Sequence, residues 1–128
     1  MLTYPRGLGI CLLLSACAHD MGQMKKDEAL NAYRTAIRWG AFEQACAQQS
    51  GQTRGEKVSE ELRDVHVTGY DVVAAQENRE AHSLRQRVAI RYYRDGDVVE
   101  RTVIDEQNWR YDEDKGQWVL DSPLPRFK

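Results

Sequence analysis

Apolar and polar residues change their period along the chain, and each change marks a new kind of element. From Lys26, the apolar positions Leu30, Tyr33 and Ile37 recur at helical spacing, with Asn31, Arg34 and Arg38 largely on the other side. Asp27 and Glu28 put negative charge in the first turn, where the helix dipole favours it. Gly40 interrupts this pattern before Phe42, Ala45 and Cys46 resume it as far as about Gln49. A glycine inside a helix costs about 1 kcal/mol relative to alanine, so a helix bent or broken near Gly40 is expected. Ser50 to Lys57 is polar, holds two glycines and reads as a loop.

Beyond the loop the period becomes that of a strand. Leu62 to Ala75 is rich in valine, and its alternation breaks between Val67 and Val72, which predicts a bulge near Gly69. Gln76 to His82 reads as a loop. From Ser83 to Arg94, Leu84, Val88, Ile90 and Tyr92 share one face and Arg85, Arg87 and Arg91 the other, the pattern of a half-buried antiparallel strand. Asp95-Gly96 supplies a two-residue hairpin turn. That turn sets Tyr92 opposite Val99, Arg91 opposite Glu100 and Arg85 opposite Glu106. Val98 to Asp112 is read as one long, bent strand, Asp112 to Gly116 as a turn, and Gln117 to Asp121 as a short last strand ended by Pro123 and Pro125. Leu124 and Phe127 are expected to pack back onto the domain. The fold class expected is therefore α+β, an N-terminal helix packed on a curved four-stranded antiparallel meander.

The first residues follow a different rule. Arg6 and the terminal amine precede an uncharged apolar run, Gly7 to Leu14, that is closed by small residues. A bilayer core of about 30 Å needs roughly 20 apolar residues, so this run is too short to span and reads as a secretory signal. Leu14-Ser15-Ala16-Cys17 resembles the lipobox of bacterial lipoproteins. That resemblance implies cleavage after residue 16 and a diacylglyceryl group on the Cys17 sulfur, dividing the chain into a signal peptide (1–16), a lipidated flexible tether (17–25) and one domain (26–128). An ordinary signal cleaved after Ala16 or Ala18 is the alternative. Each buried methylene contributes roughly 0.8 kcal/mol, so the two or three chains of a lipoprotein anchor it durably. In that family an Asp after the cysteine favours the inner membrane, whereas Ala18 stands here. Outer-membrane sorting, with the domain facing the periplasm, is the expectation.

Composition narrows the picture further. Losing Arg6 with the signal takes the net charge from −2 to −3, with both signs interspersed and no basic block, so nucleic-acid binding lacks its electrostatic footprint. Cys11 leaves with the signal and Cys17 is consumed, which makes Cys46 the only thiol and rules out an internal disulfide. His19, His66 and His82 have no metal-site spacing, and the acidic turn Asp112, Glu113, Asp114 lacks the glycine and distal glutamate of a calcium loop. No phosphate loop or nucleophile elbow is present, and no cofactor is expected.

Two stretches of the domain carry a second resemblance. Tyr33 to Ala45 (YRTAIRWGAFEQA) and the ending NWRYDEDKGQWVL are similar to the opening helix and closing hairpin of nuclear-transport-factor-2-like domains, and a cystatin-like helix wrapped by a sheet is equally compatible. Some members of that superfamily are enzymes that pair an Asp or His with Tyr inside the sheet's cone. On that resemblance Tyr70, Asp71, Tyr92, Asp105 and Tyr111 are the candidate pocket residues. The Arg85, Arg87, Arg91 row is either an anion-binding face or a solvent face neutralised by Glu100 and Glu106. Three functions are thus weighed: a non-enzymatic envelope lipoprotein that contacts another envelope protein or component; a small-ligand binder or enzyme with a cone-shaped pocket; and a lysozyme-inhibitor-like envelope protein.

Overall fold

The computed structural model describes residues 10–51, 53 and 60–128, with the backbone alone for residues 10–20 and 61. The order is α1 (Ile10–Arg38), α2 (Phe42–Ala47), a 3-10 turn (Glu60–Leu62), β1 (Val65–Asn78), β2 (Ser83–Arg94), β3 (Asp97–Asp112) and β4 (Gln117–Leu120). The strands form one antiparallel sheet in sequence order, and α1 lies across its inner face. The α+β meander is the architecture the periodicity predicts. Residues 1–9 of the signal segment and most of the Ser50–Lys57 loop lie outside the described residues, as do the side chains of the lipobox.

Within α1, Lys26, Tyr33, Ala36 and Ile37 are buried, with Ala29 and Leu30 packed beside them, a stripe at helical spacing. The helix ends where expected. Gly40 takes φ +72°, and Ala41 N–H bonds the Ala36 carbonyl at 2.8 Å while Gly40 N–H bonds Ile37, a left-handed C-terminal cap that glycine accepts without a Cβ penalty. α2 then turns Phe42 and Ala45 into the core. Its last residues run on as a short extension of the sheet: Ser50 N–H donates to Leu120 O, and Leu120 N–H to Gln48 O.

The helix begins earlier than the sequence pattern suggests. Residues 17–25, expected to be a flexible tether, are helical. Gly22 is the poorest helix former in this stretch, and two lysines fasten its end: Lys26 Nζ lies 2.9 Å from Glu77 Oε1, and Lys25 Nζ reaches the Gly116 carbonyl at 3.3 Å. Tertiary contacts thus override one poor residue.

The limits of β2, β3 and β4 match to within a residue. β1 runs Val65–Asn78 rather than Leu62–Ala75, with Leu62 in the 3-10 turn and Gln76–Asn78 paired to β2 instead of looped. The β2–β3 register also differs. Tyr92 pairs with Arg101, Arg91 with Thr102 and Arg87 with Glu106. The expected pairing was two residues short. Between Tyr92 and Arg94 the register shifts, and β3 carries the additional residues in Val98–Glu100. Because the slip is an even number, every side chain keeps its face. Opposite charges still meet outside: Arg87 is bonded to Glu106 at 2.9 Å, Arg91 to Asp71 at 3.5 Å, and Thr68 donates to Glu100 at 3.1 Å. β1 carries its bulge next to Gly69 and a second one between Val72 and Ala74.

The core sits between α1 and the sheet around Tyr33, Val88, Ile90, Trp109 and Leu120. After β4 the chain turns back over it. Phe127 packs edge-on to Tyr92 at 4.9 Å and to Phe42 at 5.5 Å, and Tyr92 Oη both accepts from Lys128 N and donates to Lys128 O.

Candidate functional site

The inward positions of β2 and β3 are not uniformly apolar. Gln86, Asp105 and Gln107 replace hydrophobes there, and all three are buried. Register brings Gln86 opposite Gln107, and one amide connects the group. Gln107 Nε2 donates to Asp105 Oδ2 at 2.7 Å and to Tyr70 Oη at 2.9 Å, while its Oε1 accepts from Gln86 Nε2 at 2.7 Å and Trp109 Nε1 at 2.9 Å. All four bonding positions of that amide are used. From the helix, Tyr33 Oη donates to Asp105 Oδ2 at 3.3 Å, and its ring meets Trp109 edge-on at 5.6 Å. Among the described residues no buried side-chain nitrogen or oxygen lacks a partner.

Burial governs the protonation of this network. It pushes Asp105 up to about 6, against the opposing hydrogen bonds from Gln107 and Tyr33. Burial, reinforced by the Asp105 charge, raises Tyr33 well above an ordinary phenol, and burial pushes Tyr70 up to about 12 despite the Gln107 bond and the Arg34 guanidinium, which sits 5.8 Å over its ring. Both tyrosines are neutral at physiological pH, Tyr33 donating to Asp105 and Tyr70 accepting from Gln107. The neighbouring opening is a surface cleft of about 540 Å³ that touches Gln86 and Gln107 and is walled by Ala74, Ala75, Arg85 and Arg87.

Only two of the five candidate pocket residues come together, Tyr70 and Asp105, joined through Gln107. Asp71 faces outward against Arg91, Tyr92 is held under Phe127, and Tyr111 stands at the far end of β3, where its ring meets Trp118 at 6.2 Å and His82 at 6.4 Å. Tyr33, Gln86, Gln107 and Trp109 complete the network in their place. Gln86 and Gln107 are recognisable in the sequence as polar residues at inward positions of apolar strands; Tyr33 is not, because its place in the helical stripe equally suits a plain core residue. Cys17 lies in α1 with its side chain outside the described residues. Cys46 is half-buried and donates to Gln49 Oε1 at 3.2 Å.

A second concavity, about 420 Å³, lies where α1 passes the ends of two hairpins. Met21, Gly22, Gln23 and Lys25 form one wall, the end of β1 and the β1–β2 turn with Arg79 and His82 another, and Tyr111, Glu113 and Trp118 the third. The β1–β2 turn is fastened to β3 by the bond from Tyr111 N–H to the His82 carbonyl, with His82 at φ 48°. Among the described residues no three His, Cys, Asp or Glu side chains are grouped to hold a metal ion, and no helix is long and apolar enough to cross a membrane. Compared with protein-family models, with curated proteins and with solved structures, the chain finds no match.

Proposed function

We propose that this chain is a lipid-anchored domain of the bacterial envelope, attached through Cys17 to the outer membrane and facing the periplasm, whose role is to contact another envelope component rather than to turn over a substrate. The observation that carries the interaction reading is the filled inner face of the sheet. Tyr33, Trp109 and the Gln107 amide occupy the space in which a cone-shaped pocket would open, and their hydrogen bonds point at one another. An interior closed by its own side chains leaves contact through the outer surface as the natural mode of action. The anchor reading is supported by the order of charged start, short apolar run and Leu14-Ser15-Ala16-Cys17.

The test is the intact mass of the purified protein, together with its partition into detergent. Mass in excess of the chain beginning at Cys17 by the diacylglyceryl and amide-linked acyl groups is the expected result. Cys17→Ser abolishes that increment, and Cys46→Ser leaves it unchanged. An unmodified Cys17 in a soluble periplasmic fraction would overturn the anchor, and turnover of a small molecule would overturn the interaction role.

A further inference from the structure

The 420 Å³ cleft between α1 and the two hairpins carries charges that its own neighbours do not cancel. Glu77 is already held by Lys26 at 2.9 Å, and that hydrogen bond, helped by Gln23 and the nearby Arg79, pulls its carboxyl below the ordinary value. The negative charge of Glu77 is therefore satisfied by Lys26. Arg79 stands on the β1–β2 side with His82 as a second donor, and Lys25 reaches from the helix to the β3–β4 turn, where it bonds only the neutral carbonyl of Gly116. On the opposing hairpin stands the exposed Glu113, which lines the cleft together with Tyr111. Met21, 59% exposed, offers thioether surface on the helical wall. The lining is mixed in charge: Arg79 and His82 on one wall, Glu113 and Tyr111 on the other, Lys25 reaching across from the helix, and an apolar edge at Met21.

We propose that this cleft seats the headgroup of a zwitterionic phospholipid. Arg79, Lys25 and His82 receive the phosphate through charge-assisted bonds, Glu113 and the Tyr111 ring receive the ammonium, and the acyl chains leave over Met21. A soluble zwitterion would meet the same charges; the choice of a membrane lipid rests on the anchoring reading and on distance. Met21 and Lys25 lie four and eight residues beyond Cys17, about 6 and 12 Å along a helix rising 1.5 Å per residue. That is the height of the polar layer, roughly 5–8 Å deep, and the space just above it.

The experiment uses the full-length protein in a non-ionic detergent, titrated with dihexanoylphosphatidylethanolamine, dihexanoylphosphatidylglycerol and inorganic phosphate, with backbone amide NMR shifts as the readout. Saturable shifts confined to residues 21–25, 79–82 and 111–118 are expected with the ethanolamine lipid. The glycerol lipid should bind about tenfold more weakly, the worth of one charge-assisted contact, and phosphate alone should not saturate. Arg79→Ala should weaken both lipids, and Glu113→Gln should bring the ethanolamine lipid down to the level of the glycerol lipid. Unchanged amide shifts around Trp109 certify that each variant is folded. Absence of saturation with the ethanolamine lipid, equal binding of glycerol lipid or phosphate, or indifference to Glu113→Gln would each overturn the proposal. An acylated protein that fails to bind sinks the headgroup site alone, whereas an unacylated protein that binds sinks the anchor alone.

Discussion

Tyr33 on α1 and Asp105 on β3 meet through a 3.3 Å hydrogen bond between groups that are 0% and 4% exposed, so the helix is fixed to the sheet at a group that titrates. Asp105 is raised from 3.8 to about 6 by burial, and the folded chain therefore holds this proton more tightly than the unfolded one. The stabilisation is fully present below pH 4, falls as pH rises through 6, and is gone above it. With 1.36 kcal/mol per pKa unit the loss is about 3 kcal/mol. Asp105→Asn should remove this decline, leaving urea midpoints nearly level between pH 4 and 7; an unaltered slope would show that the carboxyl is not its source.

Gln107→Leu should be among the most damaging single changes. It leaves Trp109 Nε1, Gln86, Tyr70 and Asp105 without their shared partner, and each buried orphan costs about 1–3 kcal/mol. A loss of about 4 kcal/mol is expected from chemical denaturation, within the range of broken buried networks. Tyr33→Phe keeps the ring against Trp109 and should cost only about 1 kcal/mol. Similar losses for the two variants would mean that packing, not the amide, dominates.

Phe127→Ala tests whether the C-terminal segment is part of the core. The ring touches Tyr92 and Phe42 and is 7% exposed, so its truncation should cost about 3–5 kcal/mol, as for other buried aromatics. Calorimetry of the variant gives the answer, and a loss below 1 kcal/mol would identify the segment as a surface appendage.

Lys26→Ala should loosen the beginning of the helix without unfolding the domain, because Lys26 joins it to Glu77 at the end of β1. Amide exchange should quicken for residues 21–30 and stay unchanged for Tyr33 to Ile37. The same pair adds an acid-sensitive element: Glu77 is lowered from 4.5, so its contribution is present above that pH and lost as pH falls through the depressed value. Its trend opposes that of Asp105. Uniform exchange along α1 in the variant would show that the pair fastens nothing.

Much of this architecture was legible because it rests on local rules. The 2.0-residue period of β2, the Asp95-Gly96 turn and the Gly40 break each depend on a few neighbouring residues. What escaped depended on distant ones. Helix over 17–25 is settled by Glu77 and Gly116, which the local sequence does not reveal. The two-residue register shift arises from Val98–Glu100, where nothing in the composition announces irregularity. Asp105 could be named as a candidate, yet its partners Tyr33 and Gln107 come from a helix stripe and an adjacent inward position that also suit simple packing. Asp71 and Tyr92 were drawn to the same site by residue type, and the bulges of β1 and the returning C-terminus place them elsewhere.

α1 continues without interruption from Ile10 to Arg38, and this makes the angular position of the domain a matter of residue count. A flexible linker would let a globule swivel about its attachment point. A helix instead advances about 100° with each residue, 3.6 to the turn, so the face presented in any direction is locked in phase with whatever holds the first turns. One alanine inserted between residues 18 and 20 would rotate the whole sheet by roughly a quarter turn relative to that attachment while leaving every contact beyond Met21 intact. Four inserted residues would nearly restore the original bearing, about 6 Å farther out.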